Sequence, residues 1–320
     1  MTVKRLLDLL DIKHPILLAP MAGVAGGELT KAVSEAGGFG ILGGGYGDPD
    51  FLAQQISLIN TNKPNGIGFI TWKLAEQPEL LDIALDAKPK AILLSFGDPT
   101  PFVKKIKTSG ALFIAQCQSL ADALKAASLG ADIIVAQGTE AGGHGSARST
   151  MSLLPAVADA LSDVSLVGAG GIAEGRGLAA SLMLGAAGVM LGSRFYVSKE
   201  SLATGAAKSQ VLEASGDNTT RSSVFDVLRE YNWPKPYNLR TLKNTLTDQY
   251  ENDMSSLVEN KPHEIARFNN AVTNQDYDAA PVIIGEAADL INDLPCAADI
   301  VQSIVRDAKQ IIEQHQRVGL

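Results

Sequence analysis

Cysteine is scarce in this chain of 320 residues: only Cys117 and Cys296 occur. A disulfide scaffold is excluded by that count, and no CxxC or Cys/His pairing offers a metal set. The sequence therefore predicts a reducing, cytoplasmic setting. Only four histidines are present. HExxH is missing, and so are GxSxG and the P-loop GxxxxGK[ST]. No GxGxxG follows the first apolar run, where the turn reads Pro20-Met21-Ala22-Gly23. Long hydrophobic runs are missing too; none approaches the ~18 residues of a membrane span. The opening MTVKRLLDLLDIKHP carries Lys4 and Arg5 but only a short amphipathic stretch and no small-residue cleavage site, so no secretory signal is expected. Positive charge is in deficit. Lys plus Arg is 27 against 35 Asp plus Glu, a net charge of −8. Broad attraction to nucleic acid or an anionic membrane is not expected.

What is abundant is glycine, 31 residues, mostly in clusters. Hydrophobic residues at 46% and charged residues at 19% are a globular composition. The length fits about two domains or one large barrel.

From His14 to about Tyr196 one unit recurs: an apolar run, a Gly, Pro or polar loop, then a helical stretch. The strand candidates are Ile16–Ala19, Phe39–Leu42, Gly66–Ile70, Ala91–Leu94, Leu112–Ala115, Ile133–Val135, Leu166–Val167 and Val189–Leu191. They lack polar alternation, as strands buried on both faces do. Glu28–Ala36, Leu120–Leu129 and Glu174–Leu184 have helical spacing, and each stops at glycine. Eight such units predict an α/β fold, a closed (β/α)8 TIM barrel over residues 1–200. An open doubly wound sheet is the alternative. Beyond the barrel, residues 201–280 read as a polar helical subdomain with no clear strand, and WPKPYN at Trp233–Asn238 as a loop. Residues 281–320 form a short extended run and one or two helices, with Pro295 breaking or starting one.

In such a barrel the loops after the strands carry the function. Ala136–Gly145 reads AQGTEAGGHG, with Gly142, Gly143 and Gly145 flanking His144. Glycine lets backbone approach a flat ligand, and a histidine at a strand's C-terminal end suits acid/base work or hydrogen bonding. The plainer reading is a turn histidine in a flexible loop. His14 sits on the stability side of the first strand, and His263 and His315 lie in polar helical stretches. Gly168-Ala169-Gly170-Gly171-Ile172 and Gly192-Ser193-Arg194-Phe195 follow the seventh and eighth runs. Glycine-rich turns in that order suit a phosphate; otherwise they only make tight turns. Ala19-Pro20-Met21 and Gly68 to Thr71 offer small and apolar flanks for a planar ring. Cys117 follows the fifth run and could face the same side, but a lone cysteine is usually inert filler. The Glu140–His144 spacing gives no metal site, because Gly142-Gly143 argues against a helix carrying two ligands.

LAPMAGV, AQGTEAGGHGS and GAGGIAEGRGLAASLMLGAAGVMLGSRF together resemble the nitronate monooxygenases, formerly 2-nitropropane dioxygenases. These are FMN-dependent barrels of one superfamily with FMN-containing enoyl-acyl-carrier-protein reductases. The likeness covers about residues 5–200 and resumes at PVIIGEAADLINDLP. It implies FMN contacts at Ala19, Pro20, Met21, Gly68, Thr71, Gln116, Gly142 and Gly143. The implied phosphate cradle is Ala169, Gly170, Gly171, Gly192 and Ser193, and the implied catalytic residue is His144. No metal is implied. Many relatives carry Lys where this chain has Gln116, and Gly-Gln where it has Gly285-Glu286. The implied reaction is oxidation of an alkyl nitronate, such as propionate-3-nitronate, by FMN and O2 to a carbonyl product and nitrite. His144 would hold the anion as imidazolium or donor, or take the α-proton of a neutral nitroalkane. The partners are then a small-molecule substrate and O2; a homodimer is left open. Two other functions compete. One is an NAD(P)H-dependent FMN reductase with an enoyl thioester or quinone as acceptor. The other is a phosphate-ligand-binding barrel without redox chemistry.

Overall fold

The computed structural model describes residues 3–316. Eleven strands are named in chain order. They are β1 (Ile16–Leu18), β2 (Gly40–Gly43), β3 (Asn65–Ile70), β4 (Ala91–Ser95), β5 (Leu112–Cys117), β6 (Ile133–Gln137), β7 (Gly143–Gly145), β8 (Ser165–Ala169), β9 (Gly188–Leu191), β10 (Thr219–Ser222) and β11 (Asn238–Leu242). Eight of them form one parallel sheet in the order β1-β9-β8-β6-β5-β4-β3-β2. The seam between β1 and β2 closes through Phe39, whose N–H donates to Ile16 O at 2.9 Å and whose carbonyl accepts from Leu18 N at 2.9 Å. The fold is thus the expected (β/α)8 barrel, and each of the eight expected runs holds a strand.

Side-chain alternation explains why these runs look apolar throughout. Leu17, Ile41, Leu93, Ile114, Val135, Val167 and Met190 fill the barrel interior. Their neighbours Leu42, Ile92, Phe113, Ala115, Ile134 and Leu166 pack outward under the helices. Both faces are buried, so neither can be polar. Helix Val3–Leu10 adds Leu6 and Leu10 to the interior cluster. Cys117 follows the same alternation. It is buried in the outer cluster, not at the barrel mouth, and burial pushes its thiol up to about 12.

The chain after the barrel departs from the sequence expectation in one respect. It contains helices Gly205–Leu212, Val224–Leu228, Thr245–Tyr250, Met254–Glu259 and Lys261–Asn274, as the polar helical reading requires. It also contains β10 and β11, which join β7 in a three-stranded antiparallel sheet of order β10-β11-β7. TTRS and NLRTL are too short and too polar to read as strands. Behind them Val224, Phe225, Leu228, Leu246, Leu257 and Phe268 form a separate apolar cluster. Pro281–Gly285 makes no strand, although Val282 O accepts from Leu242 N at 2.9 Å. Pro295 starts a helix, Ala297–Gln316, which packs on helices Gly175–Met183 and Gly27–Glu35. No described helix is long and apolar enough to cross a membrane.

Gly40 sits where β2 meets helix Gly27–Glu35. A Cβ there would overlap the Thr30 carbonyl oxygen, which is backbone and cannot rotate away. Gly40→Ala should therefore cost about 1–3 kcal/mol, the range for overpacking. Thermal denaturation reads this, and an unchanged midpoint would contradict the close approach.

Candidate active site

At the C-terminal mouth of the barrel a cavity is lined by Ala19, Pro20, Met21, Gly68, Gln116, Gly142, Gly143, His144, Ala169, Gly170, Gly171, Gly192 and Ser193. These residues come from loops far apart in sequence, brought together by the parallel strand order. Thr71 is not among them. It begins the short helix Thr71–Leu74, fully buried, with its Cβ against Gly97. Gly68 borders the cavity, yet its first duty is packing, since a Cβ there would overlap the Pro20 ring.

One end of the cavity offers donors for an anion. Gly170 and Gly171, in the loop after β8, have φ of +98° and +73°, which glycine adopts without steric cost. Gly192 and Ser193 follow β9, the strand next to β8, and a Cβ at Gly192 would meet nothing nearer than 3.7 Å. The nearest acid, Glu140, is occupied: it accepts from the Thr150 N–H at 2.9 Å and the Thr150 hydroxyl at 2.8 Å. Neutral donors with no free carboxylate among them suit a phosphate. No described group of His, Cys, Asp and Glu could hold a metal ion.

The His144 loop is not slack. Gly143, His144 and Gly145 form β7, paired with Arg240, Leu239 and Asn238 of β11. Arg221 on β10 donates to the carbonyls of Thr139 (2.9 Å), Ala141 (2.9 Å), Gly143 (3.2 Å) and Asn238 (2.7 Å). Burial pulls the Arg221 guanidinium down to about 10, so it stays charged at neutral pH. The loop also lies backbone to backbone on the returning segment. A Cβ on Gly142 would stand 2.6 Å from Gly285 N, and Glu286 N donates to Glu140 O at 2.9 Å. Glu286 pairs with Arg240 at 2.8 Å, which gives the acid at this position a partner. Gly285 N donates to Ser193 Oγ at 2.9 Å and so ties the returning segment to the anion end.

Around His144 the sequence reading missed most of the wall. Asp226 lies 2.9 and 3.1 Å from His144 Nε2, through its two carboxylate oxygens. Both side chains are about 5% exposed or less. Arg229 pairs with Asp226 at 2.9 Å and lies over the stacked rings of Tyr46 and Tyr231. Trp233 stacks on the imidazole, centroids 3.3 Å apart and planes within 9°. Phe96 meets both rings edge-on, at 6.3 Å from His144 and 5.2 Å from Trp233. Its φ is +59°, a strained conformation for a bulky residue, here at the cavity wall. Trp233 and Phe96 each carried a sequence signal, in WPKPYN and at the end of the fourth apolar run. Asp226 and Arg229 carried none, because Asp226 takes its meaning from His144 in another segment.

Burial lowers the His144 pKa below the ordinary imidazole value; Asp226 opposes that, and Arg229 and Arg221 add to it. At neutral pH the ring is therefore neutral, not the imidazolium that an anion-holding role would need at rest. A carboxylate cannot donate, so Nε2 carries the proton. Nδ1 makes no hydrogen bond among the described residues. Gln116 donates to Gln137 Oε1 at 3.0 Å, and Gln137 Nε2 donates to the His144 carbonyl at 3.1 Å. Gln116 is thus a neutral amide joined to the same network.

Comparison with known proteins agrees with this geometry. The family model described as nitronate monooxygenase matches residues 3–79 and 72–307. A nitronate monooxygenase of Neurospora crassa is 31% identical, over 95% of this chain and 92% of that protein. A (3aS,4S,5R,7aS)-5-hydroxy-7a-methyl-1-oxo-octahydro-1H-indene-4-carboxyl-CoA dehydrogenase of Mycobacterium tuberculosis is 34% identical, over 69% of this chain and 63% of that one. The structure of FabK from Thermotoga maritima superposes with a TM-score of 0.85 at 30% identity, covering 98% of both chains. Fold and site together define a (β/α)8-barrel oxidoreductase. The chain belongs to the nitronate monooxygenase family.

Arg221 satisfies four buried or half-buried carbonyls that no other side chain reaches in this number. A lysine has the charge but not the fork. Arg221→Lys should cost about 3 kcal/mol, since each stranded carbonyl costs about 1–3. Denaturant unfolding measures it, and a loss under about 1 kcal/mol would mean that the clamp is not what holds the loop.

Proposed function

We propose that this chain is an FMN-dependent enzyme that oxidises alkyl nitronates, of which propionate-3-nitronate is an example, with O2 to a carbonyl product and nitrite. The observation that carries the reading is the buried His144 at the mouth of a cavity whose other end is glycine-rich backbone, with its one lining carboxylate, Glu140, bonded to Thr150. FMN, when bound, supplies the acceptor for the substrate's electrons and the donor to O2.

The chain's own groups bind, orient and exclude water. The amides of Gly170, Gly171, Gly192 and Ser193 would hold the phosphate. Ala19, Pro20, Met21, Gly68, Gly142 and Gly143 would border the ring, where glycine permits close approach. Gln116 would face the ring system as an uncharged hydrogen-bonding group, so it gives less stabilisation to added negative charge than a lysine there would. Trp233, Phe96 and Tyr46 keep water from the reacting end. Arg229 is the permanent cation of this end, and His144 becomes a second cation once it gains a proton.

A second reading is an NAD(P)H-dependent FMN reductase acting on an enoyl thioester or quinone. The relative from Mycobacterium tuberculosis, by its name a carboxyl-CoA dehydrogenase, favours it. The acidic balance of the chain, −8, speaks mildly against docking an acidic carrier protein.

His144→Ala decides the role of the histidine. The variant should keep FMN, because the phosphate end is untouched, and lose at least about 100-fold of nitrite release from a neutral nitroalkane, the usual size of an acid–base contribution. Turnover equal to wild type with FMN bound would remove His144 from the reaction.

A further inference from the structure

The stretch Asp226–Trp233, outside the barrel, contributes three side chains to one histidine. Asp226 bonds Nε2, Arg229 pairs with Asp226, and Trp233 covers the ring face. Among the described residues no barrel side chain hydrogen-bonds the imidazole, and Gln137 reaches the His144 carbonyl instead. We propose that Asp226 is a positioning residue that holds His144 as the Nε2–H tautomer, so that Nδ1 serves as the base that removes the α-proton of neutral nitroalkanes.

This rests on the nitronate reading and on the base role that the resemblance implies for His144, and adds to them the residue that orients the base. The step balances without a further reagent. The α-C–H bond breaks, its proton passes to Nδ1, and its electron pair forms the C=N bond of the nitronate, whose charge rests on the nitro oxygens. The imidazolium so formed donates Nε2–H to the Asp226 carboxylate, which stabilises it where water cannot. Nitronate and imidazolium are then opposite charges side by side. The other charged and titratable groups around the ring include Arg229 beside Asp226, Arg221 on β10, Glu140, Tyr46 and Tyr196 in the cavity wall, and Tyr231 and Tyr237 against the neighbouring aromatic rings. Two of these are fixed cations that oppose protonation of the ring. Asp226 is the group that offsets them.

The test compares wild-type and Asp226→Asn holoenzyme on nitroethane and on preformed ethylnitronate. The amide keeps the shape and removes the charge. kcat/KM for nitroethane should fall by at least about 30-fold, within the range of general-base contributions. For ethylnitronate, which has no α-proton to lose in this step, the fall should stay under about 3-fold, the size of an indirect effect. The rise of nitroethane activity with pH follows deprotonation of His144. With Asp226 neutralised, its midpoint should move to lower pH, because the group that raises the imidazole pKa is gone. Asp226→Glu should recover part of the nitroethane rate. Equal losses on both substrates, or an unmoved pH midpoint, would overturn the proposal and leave Asp226 a structural residue. If the wild type ignored ethylnitronate altogether, the monooxygenase reading would fail instead. Nitrogen NMR of the histidine-labelled protein then still decides the tautomer: Nε2–H in wild type and a mixture in Asp226→Asn supports the positioning role, and the same tautomer in both refutes it.

Discussion

The hydrogen bond between His144 and Asp226 joins two parts of the chain that fold by different rules. His144 belongs to the loop after a buried parallel strand. Asp226 lies in helix Val224–Leu228, beyond the barrel, against its own apolar cluster. Taking an imidazole and a carboxylate out of water costs several kcal/mol unless each finds a partner. The pair meets that condition only when the post-barrel segment is seated on the mouth. Everything that seats it therefore also builds the site: β7 pairing with β11, the fork of Arg221 on the loop carbonyls, and the Gly142–Gly285 contact.

The two ends of the cavity divide the work. The glycine end is made of backbone, offers N–H groups, and depends on conformations that side-chain-bearing residues rarely adopt. The His144 end is made of side chains, mostly aromatic, with one ion pair inside it. Backbone donors suit a cofactor anchored in a fixed place. A wall of Trp233, Phe96 and Tyr46 around a single base suits a small substrate whose charge appears or disappears during reaction. Low surrounding polarity strengthens each electrostatic contact made there.

Much of this was legible in the sequence. Eight apolar runs without polar alternation, of strand length and spaced by helical stretches, read as strands buried on both faces, and the glycines after Glu28–Ala36, Leu120–Leu129 and Glu174–Leu184 mark the unit. The glycine end was legible because it is written contiguously, in Gly168–Ile172 and Gly192–Phe195. The His144 end was half hidden. Its histidine stands out among glycines, but Asp226 in the short helix Val224–Leu228 and Arg229 just after it do not stand out. Their meaning comes from a contact across 82 residues, which no local pattern encodes. The small sheet was hidden for a similar reason. Strands of three to five residues, bearing Thr and Arg, carry too little alternation to be read. Thr71 stands right after a strand, yet the chain turns at once into a helix, and the buried Thr71 is not among the residues that line the cavity.

The most direct measurement is anaerobic mixing of the FMN-loaded protein with propionate-3-nitronate and, in separate cuvettes, with NADH and NADPH, followed by visible flavin absorbance. If the cavity is a nitronate site, the nitronate alone changes the flavin spectrum, and admitting O2 restores it with release of nitrite. Rapid bleaching by a nicotinamide cofactor, with no response to the nitronate, would contradict that and make the protein a reductase whose acceptor is still to be found.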